Sequence, residues 1–208
     1  MDPLPSPAAA PRRTQAERRQ ASERNLLEAA AALIAEHGVA AATLERVGAR
    51  AGYSRGLATQ KFGSKQGLIE ALIAVLQARL NAKMVDRHAD TMPGLPAILA
   101  FTDIFLADLE TDTELRAYFM LLASAVADGG PSRALFAASH DAVRVQLAAL
   151  VVRGQADATV SPGVVPDHAA TLVGSLLLGL SVQSLVEPGL DLATMRATAA
   201  GMVRESLR

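Results

Sequence analysis

Through most of its length the chain repeats an apolar residue every three or four positions, and no segment reads as a strand. That spacing lines apolar side chains along one stripe of a helix, so the chain has to be built from helices packed stripe to stripe. From Thr14 to His37 the pattern sets Leu27, Ala30 and Ile34 on one face, and Gly38 ends the helix. Thr43 caps a short second helix carrying Leu44, Val47 and Ala51, which stops at Gly52. Ser54 caps a very short third, ending near Phe62 and Gly63. Ser64 caps a long fourth running towards Asp86, with Leu68, Leu72, Val75, Leu76 and Leu80 as its stripe. "DTMPGLP" then breaks the chain at Pro93 and Pro96. Five more helices follow at about 97–109, 113–127, 132–158, 167–186 and 192–207, separated by "ETD", "DGGP", "TVSPGVVP" and "EPG". The expected fold is all-α. Residues 1–19 form a flexible basic arm, 20–80 a three-helix unit with its connecting helix, and 81–208 a larger helical body.

Half of the 208 residues are apolar, enough to bury a sizeable core. The absence of cysteine excludes disulfides and thiolate metal sites and suits a reducing cytoplasm. The Pro/Ala-rich start lacks the apolar run of a secretory signal. The longest apolar run, Leu172 to Val182, is too short to span a bilayer and reads as a buried helix, so no membrane partner is expected. Net charge is −1, but it is unevenly spread. Residues 1–65 carry ten Lys/Arg against six Asp/Glu, and the remainder ten against fifteen. A basic end on an acidic body suits a polyanion held at that end alone.

The stretch "TLERVGARAGYSRGLATQKFGSK" explains why. Two short helices joined at Gly52 make a helix-turn-helix over about 43–62, with Gly52 supplying the left-handed turn and Gly48 permitting a close helix crossing. In such a unit the second helix lies in the major groove of DNA. Here it offers Ser54, Arg55, Gly56, Thr59, Gln60 and Lys61. Arg55 suits guanine O6/N7 and Gln60 adenine N6/N7; Thr59 and Lys61 suit base or phosphate. Thr43, Arg46 and Tyr53 flank this face, and Lys65, at the start of the next helix, suits a phosphate.

On these residues the chain resembles the DNA-binding signature of the TetR family of transcriptional regulators, most strongly over 20–80. Three positions depart from the family pattern. Thr59 and Gln60 stand where aromatic residues are usual, Ala58 replaces a leucine, and Glu45 occupies an often basic position. The resemblance implies a ligand-responsive repressor, homodimeric, acting in the cytoplasm on an inverted-repeat operator in double-stranded DNA. It further implies that the body dimerises through its last two helices and holds an effector pocket for an apolar or amphipathic small molecule. The small and apolar residues suited to that interface are Leu172, Gly174, Ser175, Leu178, Gly179, Val182, Met195, Ala199 and Met202. For the pocket, Phe101, Phe105, Tyr118, Phe119 and Phe136 fall on three consecutive helices with Met120, Ser124, His140 and Arg144 nearby. The same cluster reads equally as a filled core.

Two other classes of function compete. A helical adaptor whose helix-turn-helix no longer binds DNA would have little use for Arg55, Lys61 and Lys65. An enzyme would need catalytic spacing, but the four histidines are scattered, and no P-loop or Gly-x-Ser-x-Gly elbow is present. No cofactor or metal is expected.

Overall fold

The computed structural model describes residues 14–208, so the first thirteen residues of the expected basic arm lie outside the described residues. Among the described residues there are nine α-helices and no strand. They are α1 (Gln15–His37), α2 (Leu44–Arg50), α3 (Arg55–Phe62), α4 (Lys65–Asp86), α5 (Gly94–Thr111), α6 (Thr113–Asp128), α7 (Ser132–Ala156), α8 (Pro166–Val186) and α9 (Leu192–Ser206). Thr14 caps α1 through a reciprocal pair of bonds with Glu17, so residues 15–19 of that arm are already helical. α5 begins three residues before the position the sequence suggests. Pro96 sits in its first turn, where a missing N–H leaves no bond unmade, so the proline starts this helix rather than delaying it.

α1, α2 and α3 form the small N-terminal unit, and α4 leads from it into the body. The body is organised around α5, which packs against both α7 and α9, while α7 and α8 run against each other. Gly94 and Gly154 make the α5–α7 approach possible: a Cβ on Gly94 would lie 2.1 Å from the Gly154 backbone nitrogen. The covalent path through α4 has a second, packed companion. α1 buries residues on more than one face, including Leu26, Leu27, Ala30, Leu33 and Ile34, and packs against α6 as well as α2. The small unit is therefore seated on the body rather than merely tethered to it.

α8 corrects one expectation. The run Leu172–Val182 stops at neighbouring polar residues, but the whole helix spans 21 residues, and α7 and α8 are both long and apolar enough by composition to cross a membrane. Their most apolar windows, of mean hydropathy 1.4 and 1.8, are only 22% and 28% buried inside the chain. Much of that apolar surface faces outwards, and Leu172 and Val186 are 68% and 74% exposed.

Candidate nucleic-acid interface and ligand cavity

The helix-turn-helix is fixed by local chemistry. Thr43 and Ser54 cap α2 and α3, each hydroxyl accepting a bond from the backbone N–H three residues on. Gly52 turns the chain at a φ of +77°, and Tyr53 N–H donates to the Gly48 carbonyl at 2.8 Å. A Cβ on Gly48 would meet the Ser54 carbonyl oxygen at 3.0 Å, so the close crossing of α2 and α3 favours glycine there. Val47 and Ala58 are fully buried beneath this crossing and Phe62 closes the core behind them.

α3 then divides cleanly by face. Arg55, Gly56, Thr59 and Gln60 are exposed, and among the described residues the side chains of Arg55, Thr59 and Gln60 make no hydrogen bond. Arg46 on α2 is likewise exposed. Lys61 departs from expectation. Its side chain is only 8% exposed, and its Nζ donates to the Arg19 carbonyl at 2.8 Å and pairs with Glu23 at 3.1 Å. Held in this way, Lys61 fastens α3 to α1, with its ammonium turned to α1 rather than to the exposed face. Thr43 serves as a cap, and Tyr53 accepts a bond from Asn25 Nδ2 at 3.3 Å, so both position the motif. Lys65 is exposed and donates one hydrogen to the Val39 carbonyl, leaving two for a phosphate. The sequence reading missed Arg50, whose guanidinium makes a two-bond pair with Glu36 at 2.6 and 2.7 Å and locks α2 to the end of α1.

The aromatic cluster of the body belongs to the buried core and also borders a cavity. A cavity of about 380 Å³ opens between α4, α5, α6, α7 and α8, lined by Phe101, Phe105, Tyr118, Phe119, His140 and Arg144 of the expected set. Met120, Ser124 and Phe136 do not line it. Ser124 instead donates to Asp128 one turn along α6, and Phe136 is buried edge-on against Tyr118. The wall contains residues the pattern did not mark, above all Gln77 and Arg79 of α4 and Ser139 of α7. Gln77 Nε2 donates to Ser139 Oγ at 2.9 Å, and the Tyr118 hydroxyl lies 3.3 Å from the same oxygen. Burial pushes the Tyr118 phenol pKa up against the opposing pull of Ser139, and burial pushes the His140 imidazole down. The two rings stack with centroids 6.2 Å apart.

The expected interface residues split. Leu172, Ser175, Gly179, Val182 and Met202 are exposed, and Leu178 and Met195 are half-buried. Ala199 is buried within the chain on α9, which packs against α5, so it cannot lie on an outer face. Gly174 turns towards the cavity, whose wall it helps to form.

Comparison with known proteins agrees with this arrangement. Residues 26–72 match the model of bacterial regulatory proteins of the tetR family, and 97–208 match that of the C-terminal part of BetI-type transcriptional repressors, more than half of the chain. No curated protein matches the chain. Among solved structures, a TetR-family transcriptional regulator from Rhodococcus sp. is similar at a TM-score of 0.77 and 22% identity, over 90% of this chain and 100% of that one. SmeT, the repressor of the Stenotrophomonas maltophilia multidrug efflux pump SmeDEF, is similar at a TM-score of 0.73 and 25% identity, covering 90% and 91%. Its complex with triclosan is similar at 0.75, with the same identity and coverage. The fatty acid degradation regulator FadR from Bacillus halodurans shares the fold at 0.77 with 15% identity, covering 90% and 96%.

Proposed function

Because the chain belongs to the tetR family of bacterial regulatory proteins, we propose that it is a homodimeric repressor reading an inverted-repeat operator through α3. The observation that carries this reading is the division of α3. One face is sunk in the core through Ala58 and Phe62, and the other presents Arg55, Gly56, Thr59 and Gln60 without protein partners among the described residues. A helix that leaves a guanidinium and an amide free at its exposed face has the groups that pair with guanine and adenine edges. Arg46 and Lys65 flank it as phosphate contacts, and acting on DNA places the protein in the cytoplasm. The second copy is supplied by symmetry. The exposed apolar residues of α8 and α9, Leu172, Val182, Val186 and Met202, would be covered by the same face of a partner. The cavity is the effector site. A small molecule seated there touches α4, and so can favour one spacing of the two α3 helices over another.

The test is a selection of DNA sequences with wild-type, Arg55→Ala and Gln60→Ala protein. Each substitution should relax preference at one base pair per half-site by about 1–3 kcal/mol and leave the others intact. A selected motif unchanged in both variants would remove α3 as the reading element.

A further inference from the structure

The cavity has a polar wall whose hydrogens can be counted. Gln77 donates to Ser139 Oγ, and one hydrogen bond joins Ser139 to Tyr118. Two hydroxyl hydrogens are present and only one is used in that bond. If Ser139 donates to Tyr118, the phenol O–H is left over; if Tyr118 donates to Ser139, the serine O–H is left over. Either way one hydroxyl hydrogen of the pair is left without an acceptor among the described residues, beside the second amide hydrogen of Gln77, in a cavity otherwise rich in aromatic rings. A buried donor of this kind is satisfied by an acceptor brought from outside.

The charged groups of the wall are already matched. Arg79 is paired with Asp112 at 2.9 Å and Glu114 at 2.7 Å. Asp108 is paired with Lys83, and Arg144 with both Asp141 and Asp167. His140, its pKa lowered by burial, is neutral at neutral pH and stacks on Tyr118. Among the described residues an anionic ligand would find no unpaired cation there, and it would lose its hydration on entry.

Resting on the reading of this cavity as the effector site, we propose that it selects uncharged aromatic molecules bearing one oxygen acceptor, which takes the spare hydrogen of the Ser139–Tyr118 pair. Ser139 and Tyr118 are then the specificity-determining residues. Gln77 carries their occupancy to α4, because it is the α4 side chain bonded to Ser139.

The experiment uses three probes of the same size on the full chain, without DNA: 2-acetylnaphthalene, 2-isopropenylnaphthalene and 2-naphthoate. Binding is read by calorimetry at neutral pH. The ketone should bind about tenfold more tightly than its isopropenyl isostere, which lacks the acceptor, and than the carboxylate. In the Ser139→Ala, Tyr118→Phe double variant the ketone should fall to the level of the isopropenyl compound, whose unchanged binding shows that the cavity is intact. Equal binding of ketone and isopropenyl compound to wild type, tighter binding of naphthoate, or a ketone advantage that survives the double substitution would each overturn the proposal. So would failure of all three to bind. Loss of operator recognition would instead count against the DNA reading alone, since no DNA enters this measurement.

Discussion

At the scale of single residues, what was legible is what acts within one turn of helix. Thr43, Ser54 and Ser64 announce helix starts because a hydroxyl bonds a backbone N–H three residues ahead, and each does so. Gly52 announces a turn because its backbone needs a positive φ. The pairing of Lys61 is not legible because its partners, Arg19 and Glu23, lie about forty positions earlier in the sequence, and a basic residue on such a helix looks like a DNA contact until its partner is seen. The two lysines therefore make opposite predictions. Lys61→Met keeps the stem and removes the ammonium, so it should lower stability by about 1–2 kcal/mol in urea denaturation and leave the salt dependence of DNA affinity unchanged. Lys65→Ala should leave stability nearly intact and reduce the slope of log affinity against log salt by about one. Equal slopes for the two variants would return Lys61 to the DNA surface.

At the scale of elements, helix order and most boundaries were legible from spacing and breaks, but the pairing between helices was not. Arg79 and Lys83 of α4 and Arg87 just past its end stand four residues apart, and each meets an acid on α5, on α6 or at the cap between them: Asp112 and Glu114, Asp108, and Asp103. Arg196 of α9 joins Asp103 at 2.6 Å. Burial opposes ionisation of Asp103, yet the bonds from Arg196 and Arg87 prevail and hold its pKa below the ordinary 3.8. A carboxyl lowered on folding adds stability that is present above its unfolded pKa and is lost as the pH falls through the folded one. Asp103→Asn should thus lower stability at neutral pH, seen as a fall in Tm, by about 1 kcal/mol or less because the side chain is a third exposed. The difference from wild type should vanish below the ordinary carboxyl range. A loss that persists undiminished in acid would mean that Asp103 acts through packing. The cavity was half legible in the same way. Its aromatic side was visible as a cluster, whereas Gln77 and Gly174 become wall residues only because α4 and α8 border the same cavity. A Cβ on Gly174 meets nothing within 4 Å, so Gly174→Leu should fill space in the cavity and abolish the response to effector while DNA binding persists. An effector that still releases this variant from DNA would place its site elsewhere.

At the scale of the whole molecule, the sequence indicated two regions with α4 between them, and the structure adds the seat of α1 on α6. That seat escaped the sequence reading because α1's extra apolar face looks like the core of its own small unit. One copy of the chain leaves apolar residues of α8 facing outward, and Gly179 lies among them with nothing within 4 Å of a Cβ. Gly179→Leu should therefore spare the fold of the single chain, with unchanged helical content by circular dichroism, but weaken a dimer built on that face by about 1–3 kcal/mol. Sedimentation of the wild type as a monomer at micromolar concentration would defeat the dimer outright. The most direct measurement joins both ends of the molecule: the affinity of the wild-type chain for its selected DNA and for a scrambled duplex, taken across a range of salt concentrations. Two copies of α3 on one operator predict an inverted repeat, bound at least about a thousandfold more tightly than the scrambled sequence, with affinity falling steeply as salt rises. Equal affinity for both duplexes, or binding indifferent to salt, would contradict a repressor that reads DNA through α3.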